Sequence, residues 1–208
     1  MATASQSLFN MTVSADNAGG NQGLLMPKLQ YRFRVNFLNF GVGSALELTK
    51  QVIDCSRPNL TFAEITLPIY NSTMYLAGKH SWAPMTVNIR DDAQGGVSKS
   101  IGQQLQKQLD FVEQASAATG QDYKFQTNIE ILDGGNGTLA PVVLETWELY
   151  GCFLVSANYN TLNYATSDVV TVGLSIRFDN AVQSPLGGGV GTSVGRAFGG
   201  SSVTGIGQ

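Results

Sequence analysis

Four stretches of the chain alternate apolar and polar residues with a period of two. They span residues 31–37, 85–90, 123–131 and 170–178. A two-residue period is typical of a β-strand with one buried and one solvated face, so each stretch is predicted to be a strand. In the last one the predicted inward residues are Val170, Val172, Leu174, Ile176 and Phe178, and the polar face carries Thr171, Gly173, Ser175 and Arg177. In the third the polar face carries Lys124, Gln126, Asn128 and Glu130.

One amphipathic helix interrupts these strands. Between residues 97 and 120, apolar residues recur at spacings of four, four and three, at Ile101, Leu105, Leu109 and Val112. The opposite face is predicted to be solvated or to meet a partner, and it carries Gln103, Gln104, Gln106, Lys107, Gln108 and Asp110. Strands before and after a single helix predict a mainly β (α+β) fold, a sandwich or barrel with one packed helix.

A segment between the first strands fits no core. Residues 57–84 are predicted to form a long hairpin arm that turns near Asn71 and Ser72. Pro68 limits the arm to a sheet edge or a bulge. Apolar residues crowd its tip, at Ile69, Tyr70, Met74, Tyr75 and Leu76. An isolated hairpin is marginally stable in water, so we expect this arm to dock on something.

The two ends of the chain differ in composition from its middle. Residues 181–208 hold nine of the 24 glycines, and such a segment buries too little apolar surface to offset its ordering entropy. We therefore predict an N-terminal extension over residues 1–26, a single β domain over 27–180 and a Gly-rich tail over 181–208.

Charge is sparse along the whole chain. Charged residues make up 13% of the sequence and the net charge is −3, against about 25% charged residues in an average domain. No run of Lys or Arg suggests tight nucleic-acid binding. So little charge gives poor protection against association, which indicates a surface largely covered by copies of the chain or by partners. Neither an apolar leader nor a membrane span is evident, so the expected place of synthesis is the cytoplasm.

Residues that could carry chemistry are few. His80 is the only histidine, and Cys55 and Cys152 lie far apart, outside any metal-binding spacing. We therefore expect no metal, no cofactor and no catalytic site.

Pairs of carboxylates and a glycine-rich loop also have structural readings. Asp91 and Asp92 follow a strand, where a role at a turn or helix start is expected. Glu145 and Glu148 differ in parity, which places them on opposite strand faces and argues against paired acid–base work. The loop at residues 133–137 lacks the Lys-Ser/Thr ending of a phosphate cradle and is predicted to be a turn.

The order of four segments carries a family resemblance. They are the strand YRFRVNF, the arm ending in YLAGKHSWAPMTVNIRDD, the amphipathic helix, and WELYGCFLVSANYNTLNYATSDVVTVGLSIRFDN. The most specific features are the Ala-Gly-basic step before MTVNIRDD and the Trp-x-Leu-x-Gly strand, which is followed by an aromatic residue in a turn and a final alternating strand. Over roughly residues 28–180 the chain closely resembles the tail tube proteins of contractile-tailed bacteriophages.

That resemblance implies a structural virion protein. Six copies would form a ring in which the sheets join into one β-barrel around a channel, and stacked rings would form the inner tail tube that delivers DNA into the host. The implied partners are further copies of the chain and the tail sheath, baseplate, tape measure and tail terminator proteins, with DNA only as passing cargo. The protein would assemble in the host cytoplasm and end in the virion.

The resemblance also assigns roles to residues. The arm would contact a neighbouring subunit or ring through Pro68, Tyr70, Met74, Tyr75 and Leu76. Polar strand residues would line the channel or the outer surface, among them Thr171, Ser175, Arg177, Gln126, Asn128 and Glu130.

Two other functions remain open from the sequence. The subunit of a bacteriocin or secretion-type injection tube would assemble in the same way, and only the cargo in its channel would differ. A carbohydrate-binding sandwich would need an exposed aromatic platform, for which Trp82, Trp147 and several tyrosines are candidates.

Overall fold

The computed structural model describes residues 28–42, 46–133, 141–185, 189–192, 196–198 and 201–203. The chain divides into two compact units, Met1–Arg32 and Phe33–Gln208. Within the first, the backbone N–H of Arg32 donates to the Leu29 carbonyl at 3.2 Å, and the Arg32 guanidinium lies 5.4 Å from the centre of the Tyr31 ring. The predicted extension over residues 1–26 lies outside the described part of the chain.

The second unit is mainly β, as predicted. Its strands are β1 (Phe33–Leu38), β2 (Val52–Cys55), β3 (Leu60–Ile69), β4 (Ser72–Trp82), β5 (Met85–Arg90), β6 (Leu109–Asp110), β7 (Ala115–Ser116), β8 (Phe125–Leu132), β9 (Val143–Asn158), β10 (Thr171–Arg177), β11 (Asn180–Pro185), β12 (Arg196–Phe198) and β13 (Ser201–Val203). Its helices are α1 (Leu46–Lys50), α2 (Gly96–Gln108) and α3 (Gly120–Tyr123).

One antiparallel sheet of seven strands organises the unit. The strand order is β1-β8-β9-β10-β5-β2, and β11 also pairs with β9. Among the described strands the sheet is not closed into a barrel. Strand β11 extends the sheet to Pro185, past the boundary predicted at residue 180.

Strand β9 is long and changes partners along its length. Its first part pairs with β8 and β11 and its second part pairs with β10. Gly151 lies between the two parts with a φ of 67°, and the register slips there, so Leu149 and Cys152 are both buried although they differ in parity. An extra residue of this kind bends a strand. A Cβ at Gly151 would lie 2.7 Å from the Asp179 Cγ atom, so glycine suits both the backbone and the space.

The bend lets both parts of the sheet face one core. The buried apolar residues include Val35, Ile129 and Leu149 from one part, Val87, Ile89, Leu174 and Ile176 from the other, and Val97 and Ile101 from α2. Phe40 closes one end and packs edge-on against Phe125, with ring centres 4.9 Å apart. Burial of each such side chain stabilises the fold by about 1.5–3 kcal/mol.

Three residues of the predicted apolar faces are exposed: Tyr31, Val112 and Val170. Tyr31 precedes β1, which begins only at Phe33. Helix α2 ends at Gln108, because the Asp110 carboxylate accepts hydrogen bonds from the backbone N–H groups of Val112 (2.8 Å) and Glu113 (3.2 Å) and turns the chain. The prediction that Val112 lies on the buried helix face is therefore wrong. Val170 is also exposed, because strand β10 begins only at Thr171.

The polar face predicted for α2 is partly buried. Gln104 is fully buried; its side-chain oxygen accepts from the Gly41 N–H at 2.9 Å, and its amide donates to the Tyr123 carbonyl at 2.6 Å. The Gln108 side chain bonds both backbone groups of Leu154, each at 3.0 Å. These glutamines hold the helix to the loops and to β9, so the prediction that they are solvated or meet a partner is wrong for Gln104.

Candidate assembly interface

Strands β2 to β5 form a single two-stranded ribbon. At its root, β2 pairs with β5 inside the sheet. The pairing continues through the Ser56 N–H to the Thr86 carbonyl (2.9 Å) and the Ala83 N–H to the Asn59 carbonyl (3.0 Å). From the Leu60–Trp82 pair to the turn, β3 and β4 pair only with each other among the described strands. We call residues 60–82 the arm.

The pairing register gives the arm two different faces. Ile65 stands opposite Leu76 and Leu67 opposite Met74. Cross-strand partners point to the same side of a sheet, so these four residues and Ile69 share one face, here called the apolar face of the arm. The opposite face pairs Glu64 with Ala77, Thr66 with Tyr75 and Pro68 with Thr73.

The apolar face is not covered by the part of the chain that the structure describes. Its five residues are each between 40% and 50% exposed: Ile65, Leu67, Ile69, Met74 and Leu76. Contiguous exposed apolar patches of this kind mark interaction sites.

The predicted arm residues occupy three different places. Met74 and Leu76 lie on the apolar face, Pro68 and Tyr75 lie on the opposite face, and Tyr70 forms the turn with a φ of 33° and full exposure. The turn falls at Tyr70 and Asn71, one residue earlier than predicted.

Two residues of the apolar face, Ile65 and Leu67, are not among the apolar arm residues predicted from the sequence. They alternate with Thr66 and Pro68 up to Ile69, and this two-residue period could have identified them. The role of the arm in assembly stays a prediction.

The predicted polar strand residues divide between the two parts of the sheet. Gln126, Asn128 and Glu130 lie on the outward face of β8, whereas Thr171, Ser175 and Arg177 lie on the outward face of β10. Glu130 forms a 2.5 Å ion pair with Arg34 and accepts a hydrogen bond from the Asn36 amide at 3.1 Å. The β8 face is thus an amide and ion-pair network.

A second exposed apolar cluster lies in the loop between β9 and β10. Residues between Asn160 and Thr171, Asp168 among them, line an open cavity of about 540 Å³. The base of this loop is fixed by the Asn160 side-chain amide, which donates to the Thr171 carbonyl at 3.0 Å and to its hydroxyl at 2.7 Å. Leu162, Tyr164 and Val169 are mostly exposed on it.

Solved structures with a similar fold belong to contractile injection systems. No protein-family model and no curated protein sequence matches the chain. The tube-terminating cap of the anti-feeding prophage superposes with a TM-score of 0.59 at 12% identity, covering 83% of this chain and 99% of that one. A chain of the PVC sheath/tube terminator gives 0.56 at 13% identity, covering 78% and 99%. A chain of the PVC sheath–tube complex gives 0.55 at 12% identity, covering 78% and 94%.

The chain has the contractile tail-tube fold. The resemblance inferred from the sequence is thereby confirmed at the level of fold. Sequence identities of 12–14% support a shared fold but not a shared function. A function like that of these proteins is therefore only a proposal for this chain.

The contacts of the histidine and of the Asp91–Asp92 pair within the chain are those of structural residues. His80 lies on the arm, with its ring centre 6.3 Å from that of Phe62. Asp92 accepts a hydrogen bond from the Val97 N–H at 3.0 Å and Asp91 accepts one from the Ser98 hydroxyl at 2.7 Å, which confirms the predicted helix-start role of the pair. In the parts of the chain that the structure describes, no three His, Cys, Asp or Glu side chains cluster as metal ligands would.

The two carboxylates flanking Trp147 lie on opposite faces of β9. Glu145 is buried and accepts hydrogen bonds from the Trp147 indole N–H and the Gln183 amide, both at 2.7 Å. Glu148 faces outward and accepts a hydrogen bond from the Tyr150 hydroxyl, which raises the pKa of that tyrosine.

Both cysteines are weakly ionised thiols. Burial raises the pKa of Cys55 to about 12, with a smaller contribution from the negative charge of Asp54. Burial likewise raises the pKa of Cys152 to about 11. Neither thiol has the low pKa of a nucleophilic cysteine.

The two tryptophans considered for a carbohydrate-binding platform do not form an exposed surface. Trp82 and Trp147 are both buried in the core, because each occupies an inward position of its strand. The loop predicted at 133–137 lies outside the described residues except for Asp133. Among the described helices, none has the length and apolar character needed to cross a membrane.

Proposed function

We propose that this chain is the tube subunit of a contractile tail. Six copies form a ring, rings stack into a hollow tube, and the tube lies inside a sheath and above a baseplate. The observation that carries the proposal is the apolar face of the arm, which extends from a tail-tube fold and stays exposed among the described residues of its own chain.

The open sheet supports ring formation. Strand β1 pairs with β8 and strand β2 with β5, and among the described strands neither has a second neighbour. Such edges promote uncontrolled association unless another strand covers them. Pairing between neighbouring copies would cover these edges and close a larger barrel around a channel.

The charge of the chain suits a conduit for DNA. Each copy contributes a net charge of −3, so a ring of six would repel a polyanion rather than bind it. We therefore favour a bacteriophage tail, with the tube part of the virion, a tape measure protein inside it during assembly and DNA as the cargo. The same subunit physics would serve a bacteriocin or secretion-type injection system, which is the alternative.

A terminator ring is the second candidate function. It is favoured by the similarity to an anti-feeding prophage cap and to a chain of a sheath/tube terminator structure. A terminator would form one ring that binds a tube end and does not polymerise, whereas a tube subunit forms rings that add to each other.

Electron microscopy of the purified full-length protein tests these functions directly. The tube proposal expects six-fold rings and hollow tubes whose length rises with protein concentration. Single rings that never stack would favour the terminator, and a monomer at every concentration by light scattering would contradict both.

A DNA-binding assay at physiological salt tests the conduit. We expect no measurable duplex affinity, because few phosphates could be neutralised. Tight binding with a steep salt dependence would contradict a non-adhesive channel.

A further inference from the structure

Two exposed apolar surfaces lie at opposite ends of strand β5. The arm leaves the sheet at Trp82, just before β5 begins at Met85. The loop 159–170 lies at the other end, where Thr171 stands opposite Arg90 and the Asp91 N–H donates to the Val170 carbonyl at 2.9 Å. Eight residues of extended chain separate Trp82 from Arg90, which corresponds to about 27 Å.

Both surfaces carry little charge. Residues 65–76 of the arm contain no Asp, Glu, Lys, Arg or His, and Asp168 is the one charged residue of the loop 159–170, where it lines the cavity. Neutral side chains can be buried without the large cost of removing a charge from water. The loop adds Leu162, Tyr164 and Val169 as exposed apolar groups. The two surfaces therefore match in polarity.

The arm is large enough to form a standard interface. A two-stranded arm of ten residues presents about 34 Å by 10 Å on each face, or about 340 Å². Its two faces and tip together approach the roughly 800 Å² that one partner contributes to a standard interface. The loop cavity of about 540 Å³ has room for side chains such as those at the arm tip.

We propose that the loop 159–170 of one copy receives the arm of a copy in the next ring. This inference rests on the proposed stacking function and names the surface that the arm meets. Because donor and acceptor are different patches at opposite ends of the sheet, the contact is heterologous and repeats without closing, which generates a tube. An arm that packed on another arm would instead make a closed pair.

A disulfide-trapping experiment tests the contact. Tyr70→Cys is placed at the arm tip in one preparation and Tyr164→Cys in the loop of a second, and the two are mixed under conditions that assemble the wild type. The matched control replaces Tyr164→Cys by Val112→Cys, which is equally exposed on the turn after α2. At pH 8 the native cysteines compete little, because burial raises the pKa of Cys55 to about 12 and that of Cys152 to about 11.

The expected result is a disulfide-linked dimer of the Tyr70→Cys and Tyr164→Cys chains, about tenfold more abundant than with the control, because contact raises the effective concentration of the thiols. Tubes that form without this dimer would overturn the assigned acceptor and leave the tube function standing. Failure of the wild type to assemble would overturn both the assigned acceptor and the tube function.

Complementation of two defective variants gives an independent readout. Leu67→Asp with Met74→Asp removes the donor surface, and Leu162→Asp with Tyr164→Asp removes the acceptor surface. Each variant alone should stop at single rings, and an equimolar mixture should give ring pairs that do not grow, since each pair retains one intact contact.

Long tubes from the loop variant alone would show that the loop is not the acceptor. An absence of ring pairs in the mixture would also contradict the proposal. Circular dichroism of both variants checks that each remains folded.

Discussion

The arm and the sheet strand β5 belong to one ribbon, but their apolar residues differ in burial. In β5, Met85, Val87 and Ile89 are completely buried, whereas Ile65, Leu67 and Ile69 on β3 are 40–50% exposed. Both strands follow the same two-residue alternation. The difference teaches that alternation predicts a face to be covered but does not say which molecule covers it.

A matched pair of leucines should give the largest contrast in stability. Leu174 is 1% exposed in the core and Leu67 is 40% exposed on the arm. Leu174→Ala should lower the free energy of unfolding by about 2–5 kcal/mol, because it leaves a cavity. Leu67→Ala should change it by about 0.5 kcal/mol or less. Urea titrations at concentrations below assembly would measure both, and equal losses would place the arm in the core of its own chain.

The bend in β9 should be the next most sensitive feature. Gly151→Ala should destabilise the chain by about 1–3 kcal/mol, because alanine resists a positive φ and its Cβ would meet the Asp179 carboxylate. Adding Asp179→Ala removes the two nearest atoms, Cγ and Oδ2, but leaves the Cβ of residue 179 at 3.2 Å and deletes the ion pair with Lys124, so the double variant should recover only part of the loss when it is compared with Asp179→Ala alone. Thermal unfolding of both variants would check this, and an unchanged midpoint for Gly151→Ala would contradict the bulge geometry.

The buried glutamine of α2 should have a smaller effect. Gln104→Ala leaves the Gly41 N–H and the Tyr123 carbonyl without these bonds, at a cost of about 1–2 kcal/mol. Gln106→Ala is the control, since Gln106 is exposed on the same helix. Denaturant titration of the two variants would detect the difference, and equal stabilities would mean that Gln104 is not holding the loops.

Replacing the arm tip should have almost no effect on the fold and a complete effect on assembly. With residues 68–77 exchanged for a short Gly-Ser turn, the core strands remain intact, so the circular dichroism spectrum should be native-like. Electron micrographs should show no long tubes. Tubes of normal length would exclude the arm tip from stacking, and an unfolded variant would mean that the tip supports the core.

Local periodicity predicts the strands and the existence of the arm because these depend on neighbouring residues. The four alternating stretches all contain strands, and Pro68 lies in the arm as predicted. The end of α2 was missed because one carboxylate, that of Asp110, outweighs a continuing apolar period at Val112. The bend at Gly151 was missed because a bulge interrupts alternation without changing composition.

Contacts between distant segments were beyond a reading of one sequence. Gln104 lies on the polar face by periodicity, and its burial depends on where the loops of Gly41 and Tyr123 pass. The apolar face of the arm depends on the pairing register, which places Ile65 beside Leu76. A turn placed one residue later would keep these side chains on one face but change their partners, so that Leu67 would stand opposite Leu76 and Ile69 opposite Met74.

Continuity of the ribbon also has a mechanical meaning. A load applied to the arm along its length passes through β4 into β5. Strand β5 is paired with β10 over six residue pairs on one side and with β2 over three on the other. Such a load shears many hydrogen bonds at once and does not peel them one at a time. A subunit joined to its neighbours through this arm would therefore transmit thrust along the axis of the assembly while its own sheet stays intact.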